Sequence, residues 1–286
     1  MSKDQKTYRN TIEIPKPIIY TAKTLQLISP HLASRFAGKL FMTPIKHKMP
    51  KREYHMDKNT KQLNVPIPSL NKEIVVYNYG KSTKKALLVH GWSGRGTQLF
   101  KIADELLKLG YMTISFDAPA HGKAPGSKTN MSEFIDSVMH LNALYGPFEV
   151  GIGHSLGGMT LLNSISQGLS LRKLVIIGCG DKIIDIALDF TRKLGLKDNV
   201  GLKMKNRFDE ILGKDINKLS ASTAAIEVQT PSLIIHDKDD ADVPLGSAEN
   251  IHEHLKNSRL VITEGLGHRK ILGDKNVITE ISQFIR

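Results

Sequence analysis

Two hydrophobic rhythms divide the chain. Between Pro17 and about Phe41, apolar residues recur at helical spacing: Ile18, Ile19, Ala22, Leu25, Leu32, Phe36 and Leu40. Pro30 interrupts the run, and Ser29 is placed to cap a second helix over 31–41. Pro44, Pro50, Pro66 and Pro68 then punctuate an extended connection. From residue 72 the rhythm becomes short strand, loop, helix. "EIVVYNYG" (73–80), "KALLVHG" (85–91), "YMTISFD" (111–117), "FEVGIG" (148–153), "KLVIIGC" (173–179), "SLIIHD" (232–237) and "RLVIT" (259–263) read as strands. Several are nearly continuous apolar runs, as strands buried on both faces should be. Amphipathic helices are expected over about 97–109, 132–144, 156–167, 246–257 and 275–286.

Alternating strands and helices predict an α/β fold, with a mostly parallel central sheet and helices on both faces. About fifty residues separate the strands at 173–179 and 232–237, too many for a plain crossover. Their pattern suggests short helices, so residues 182–222 are expected to form a small helical cap above the carboxyl ends of the strands. Ligands bind at those ends in open α/β sheets. Residues 1–70 are then a helical N-terminal arm with its extended connection, and 71–286 the main domain. Residues 1–16 are polar and expected to be mobile.

Composition is that of an ordinary globular chain: 286 residues, 40% hydrophobic and 24% charged. The net charge of +12 is uneven, because residues 1–61 hold thirteen Lys/Arg against Asp4, Glu13, Glu53 and Asp57. Such an end attracts anionic surfaces. No nucleic-acid-reading motif accompanies it, so no nucleic-acid partner is expected. The choice lies between packing of the arm on the domain, which is favoured, and weak peripheral membrane contact. No apolar run is long enough to span a bilayer, and "MSKDQKTYRN" does not read as a signal peptide. With a single cysteine, Cys179, no internal disulfide is available, and a cytoplasmic location is expected.

Candidate chemistry centres on "GIGHSLGGMT" (151–160). Strand, G-x-S-x-G and helix in succession is the setting of a nucleophile elbow, with Ser155 pushed outward. Small residues at Gly153 and Gly157 suit such a sharp turn. A serine hydroxyl needs a base, and the base needs an orienting acid. His268 sits in a Gly-flanked loop after the last strand, at the same sheet edge as the elbow. "HDKDDADVP" (236–244) offers Asp237, Asp239, Asp240 and Asp242 as the acid. Asp240 precedes His268 by room for one helix and one strand and is favoured.

From about residue 73 the chain resembles the α/β-hydrolase superfamily. The carrying stretches are "HGWSG" (90–94), "FDAPAHG" (116–122), "GHSLGG" (153–158), "HDKDDADVP" (236–244) and "GLGHR" (265–269). With its basic helical arm, the chain further resembles an uncharacterised bacterial group of that superfamily. The resemblance implies Ser155 as nucleophile, His268 as base and Asp240 as acid, with the Trp92 and Leu156 N–H groups as an oxyanion hole. It implies hydrolysis of a carboxylic ester or thioester through an acyl-enzyme, with acyl transfer to another acceptor, carbon–carbon hydrolysis or a non-catalytic binding role as alternatives. A small acyl ester or thioester is the expected partner, and no cofactor or metal is expected. Asp237 departs from the family pattern, which has glycine there.

Remaining residues carry plainer expectations. His154 packs under the elbow, and His90 supports the oxyanion loop. His252 and His254 point to different helix faces. Cys179 is core, and Arg95 is a surface arginine that could meet an anionic substrate group. Ile183, Ile184, Ile186, Leu188 and Phe190 are available to line a pocket.

Overall fold

The structure is a computed structural model and describes residues 14–286. The expectation for the polar stretch before residue 14 lies outside those residues. Eight strands form one open sheet: β1 (Lys61–Ile67), β2 (Lys72–Tyr79), β3 (Lys85–Val89), β4 (Met112–Asp117), β5 (Val150–His154), β6 (Lys173–Ile177), β7 (Ser232–Asp237) and β8 (Ser258–Thr263). Their order is β1-β2-β4-β3-β5-β6-β7-β8. β1 and β2 pair antiparallel, as do β2 and β4; every other pairing is parallel.

β1 is absent from the periodicity reading, which treats 61–67 as connection because of Pro66. The structure makes it the sheet edge, with Lys61 opposite Asn78 and Ile67 opposite Lys72. Proline cannot donate to a ladder, so an edge strand is where it fits. Pro30 likewise begins a helix instead of only breaking one: α1 is Lys16–Ile28 and α2 is Pro30–Phe41. Ser29 occupies the cap position, but its side chain makes no capping bond.

Strand residues alternate between two buried faces. Leu87, Val89, Leu174 and Ile176 join one core cluster, with Phe134, Leu161 and Ile251 from helices on that side. Ala86, Leu88, Val175 and Ile177 join the other, with Ile102, Leu106, Val277 and Ile281. The period of two along a strand explains the alternation. The covering helices include α3 (Tyr54–Asn59), α4 (Phe100–Lys108), α5 (Met131–Tyr145) and α6 (Leu156–Ser166).

Between β6 and β7 run α7 (Ile183–Lys193), α8 (Asp198–Leu212) and the short α9 (Ala221–Ala225). α1 and α2 pack on α7 and α8 around Ala22, Ala33, Ala37, Ala187, Val200, Met204 and Phe208, a third core. Small residues let the helices approach closely: a side chain at Gly38 would meet the Phe208 ring at 3.4 Å. The N-terminal helices and the insertion thus form one helical roof. After β7 come α10 (Leu245–His254), α11 (Gly267–Lys270) and α12 (Lys275–Ile285). No helix of the described residues is long and apolar enough to cross a membrane.

Candidate active site

The turn from β5 to α6 holds Ser155 at φ 53° and ψ −119°. A non-glycine residue at positive φ is strained by roughly 1–3 kcal/mol and persists only where its surroundings enforce it. Here the enforcement is backbone contact. A Cβ at Gly157 would fall 2.2 Å from the Val89 carbonyl oxygen, and one at Gly153 would fall 2.4 Å from that of Gly157. The Ser155 N–H donates to the Ile177 carbonyl at 2.9 Å, tying the turn to β6.

The His268 Nδ1–H donates to Asp240 Oδ2 at 2.7 Å, leaving Nε2 as the ring's acceptor. The Asp240 side chain is 1% exposed and that of His268 12%. Asp240 Oδ1 accepts from the N–H groups of Asp242 (2.8 Å) and Val243 (3.0 Å). Burial works against its charge, but the His268 bond and these two donors outweigh it and hold the carboxyl below its usual range. Asp242 stands nearby, with ligand atoms of Asp240, Asp242 and His268 all within 4.8 Å of one another, yet the His268 hydrogen bond goes to Asp240.

Asp237 has a different use. It accepts from Gly267 N (2.9 Å), Asp239 N (3.1 Å), the Thr263 hydroxyl (2.7 Å) and Leu266 N (3.1 Å). Burial opposes ionisation there too, but these donors keep the carboxyl below its ordinary value. Where the family pattern has glycine, this chain has a carboxylate that binds the His268 loop to the end of β7. Asp239 adds a bond from Gly265 N at 2.9 Å.

His154 is buried, and its Nε2–H donates to the His268 carbonyl at 2.9 Å, with the two rings 4.6 Å apart. Burial, then the neighbouring His268, lower its pKa well below the ordinary value, so it stays neutral. His90 accepts from Ala118 N through Nε2 (3.1 Å) and meets the Gly91 carbonyl through Nδ1 (2.7 Å). Sequence reasoning passed over His121, which repeats that arrangement: Nε2 accepts from Ser93 N (3.0 Å) and Nδ1 donates to the Pro119 carbonyl (3.1 Å). Two neutral imidazoles therefore pin the loop carrying Trp92 to the end of β4. Neither the Trp92 nor the Leu156 N–H has a hydrogen-bond acceptor among the described residues.

Ser155, Leu156, Trp92, His154, Asp240 and His268 all line one cavity of about 1390 Å³. No hydrogen bond joins the Ser155 hydroxyl to His268 among the described residues. Ile183, Ile186 and Phe190 line the cavity on one face of α7, whereas Ile184 and Leu188 do not. Positions three and four apart share a helix face, and Leu188 is turned to α8, where a Cβ at Gly201 would meet it at 2.8 Å. Arg95 is buried, not a surface residue. Its guanidinium donates to the His47 carbonyl at 2.9 Å and stands 3.7 Å from Glu53. Cys179 is buried behind Gly158, and burial raises its thiol pKa far above the ordinary value. His252 and His254 take separate partners, Ser258 and the Asn250 carbonyl.

The chain matches the model described as alpha/beta hydrolase family over residues 86–211, and that described as TAP-like protein over 214–286. It belongs to the α/β-hydrolase superfamily. An esterase of Pyrococcus furiosus superposes with a TM-score of 0.66 at 17% identity, covering 85% of this chain and 95% of its own. A bromoperoxidase of Bacillus anthracis gives 0.60 at 20% identity, with 79% and 99% covered. An esterase of Exiguobacterium antarcticum gives 0.57 at 18%, with 76% and 97% covered. No curated protein matches the chain.

Proposed function

We propose that the protein is a serine hydrolase that cleaves a carboxylic ester or thioester through an acyl-enzyme on Ser155. The observation that carries this reading is the placement of a strained Ser155 and a hydrogen-bonded His268–Asp240 pair on one cavity wall.

In the proposed cycle the Ser155 oxygen attacks the acyl carbonyl while His268 Nε2 takes its proton. Asp240 keeps the second ring nitrogen protonated and stabilises the imidazolium. The negative charge on the tetrahedral oxygen is met by the Trp92 and Leu156 N–H groups, whose freedom from other acceptors suits them to it. Loss of such a donor costs about 3–4 kcal/mol of transition-state stabilisation where it has been measured. His268 then gives the proton to the departing alcohol or thiol. Water repeats the attack on the acyl-enzyme, again with His268 as base, and frees the acid.

The test is fluorophosphonate labelling with mass mapping of the adduct, beside hydrolysis of short p-nitrophenyl esters. Wild-type protein should carry the label on Ser155. Ser155→Ala should carry none and should lose several orders of magnitude in kcat with its fold retained. Labelling of a different serine, or undiminished hydrolysis by the variant, would sink the reading.

A further inference from the structure

The cavity is electrically two-sided. Its roof side is apolar, with Ile183, Ile186 and Phe190, and its charges balance: Lys182, Arg192 and Lys193 against Asp181, Asp185 and Asp189. The wall beneath the N-terminal segment and beside α11 is different. It carries Lys48, Arg52, Lys101, Arg269 and Lys270. Asp242 offsets part of that charge, and Glu53 is already engaged by the Thr97 hydroxyl (2.7 Å) and Arg95.

These cations come from three parts of the chain and line the same cavity, and Arg52 and Arg269 are close enough to feel each other's charge. Arg95 joins the oxyanion loop to His47. His47 lies within the electrostatic reach of both Arg269 and Arg95; burial first, then these two charges, lower its pKa. Lys101 reaches the Gly273 carbonyl at 2.8 Å, beyond α11. Arg269 is held below its ordinary value by burial, against the pull of Asp242, and Arg52 adds to the lowering. Like charges gathered beside a partly desolvated cavity repel one another, and a bound anion relieves that repulsion.

Direction follows from the proposed reaction, on which this inference rests. His268 must protonate the departing oxygen or sulfur, so the departing group lies on the His268 side of the cavity. Arg269 is the next residue of the same short helix. The apolar roof is left for the acyl chain. We infer that the substrate carries its anion on the alcohol or thiol portion, as a phosphate or carboxylate held by Arg52 and Arg269.

Paired substrates with the same acyl group test this. A butyryl thioester of coenzyme A is compared with that of N-acetylcysteamine, which has a neutral leaving thiol. A carboxylate-bearing phenyl butyrate is compared with its neutral phenyl ester. The coenzyme A pair reads phosphate and the phenyl pair reads carboxylate. At about 50 mM salt, kcat/KM for the preferred anionic member should exceed that of its neutral partner by about tenfold or more, and the ratio should shrink at about 0.5 M salt. The ratio should fall toward one in the Arg52→Gln, Arg269→Gln double variant and below one in Arg269→Glu. Both arginines lie at the cavity wall, partly open to solvent and outside the packed cores, so folding should survive; a thermal midpoint checks it. Inorganic phosphate and free coenzyme A, as competitive inhibitors, give a second readout that needs no turnover of a charged substrate. Equal rates on both members of both pairs by wild type, or a ratio unchanged in the double variant, would overturn the inference. In either case neutral-ester turnover with Ser155 labelling would leave the hydrolase reading standing, whereas absent labelling would remove that reading first.

Discussion

The carboxyl edge of the sheet, where the strands end, and the helical roof meet across the same cavity but are held together by different physics. At the edge, positions are set by main chain against main chain. Gly157 lies against the Val89 carbonyl, Ser155 N bonds to Ile177, and His90 and His121 each take a backbone N–H from a neighbouring loop. The roof is set by side-chain packing of α1 and α2 on α7 and α8, with Phe41 stacked edge-on to Phe190 at 5.2 Å. Backbone-locked geometry holds catalytic groups to fractions of an ångström. Apolar packing tolerates exchange of similar volumes. Damage at the edge should therefore appear in turnover, and damage in the roof in stability.

The largest effect is expected at Asp240, the proposed orienting acid. Asp240→Asn should lower kcat by about 10⁴-fold, because the amide stabilises the wrong imidazole tautomer. Asp242→Asn should cost much less. Steady-state kinetics on a short p-nitrophenyl ester decide between them. If Asp242→Asn were the severe variant, Asp240 would not be the orienting group.

Asp237→Asn should fall between these two. An amide keeps one acceptor oxygen, so about half of the bonds that anchor the 265–267 loop survive. The His268 ring would then be less well placed, and misplacement of about 1 Å costs on the order of 100-fold. A loss of about 10–100-fold in kcat is expected, with the proton inventory of the reaction unchanged. A loss as large as that of Asp240→Asn would mean that Asp237 meets the imidazole itself during turnover.

What could be read without coordinates follows the same division. The turn at Ser155, with Gly153 and Gly157, is legible because backbone crowding leaves glycine as the small choice on either side of that serine. The buried parallel strands are legible because both of their faces demand apolar residues. Asp237 was legible as a departure from the family pattern, but its four donors lie up to thirty residues away in the chain and no local pattern announces them. His121 was hidden for the same reason: its partner is Ser93, across a loop. β1 was missed because Pro66 weakens its strand signal, and only pairing with β2 supplies what the segment lacks alone. The union of α1 and α2 with α7 and α8 joins segments about 150 residues apart, and periodicity shows that a face is apolar without showing what covers it.

A roof variant tests the other half of the comparison. Met204 is fully buried in the roof core and does not line the cavity. Met204→Ala should destabilise by about 2–5 kcal/mol through lost burial and the cavity left behind. Urea or thermal unfolding measures this. In the population that remains folded, kcat on a short ester should stay within a few-fold of wild type. A loss near that of Asp240→Asn would mean that the roof positions the reacting groups and not only encloses them.

The smallest effect per group concerns protons. His90, His121 and His154 all have lowered pKa values, with burial the largest cause. His90 and His121 each use Nε2 as an acceptor for a backbone N–H, which a protonated ring cannot do. In the unfolded chain the same histidines titrate near the ordinary value of about 6.5. Below that pH the unfolded state binds more protons than the folded state, so stability must fall as pH falls. Each histidine that stays neutral contributes a slope of about 1.4 kcal/mol per pH unit there, and little above about pH 7. Asp237 and Asp240 have lowered values, so their stabilisation is lost only at more acidic pH, below the ordinary carboxylate range. The window between about pH 6.5 and 4.5 therefore reports mainly the histidines with lowered values, His47 and His236 included, with Asp136, whose carboxyl pKa burial raises, opposing them toward the acidic end. Unfolding free energy measured from pH 7.5 to 5 should stay level and then decline. His121→Gln lacks a titrating ring, so its baseline should be lower and its decline shallower by about one histidine's slope. An unchanged slope in that variant would mean that His121 takes up its proton in the folded protein, and that the Ser93 N–H does not depend on a neutral ring.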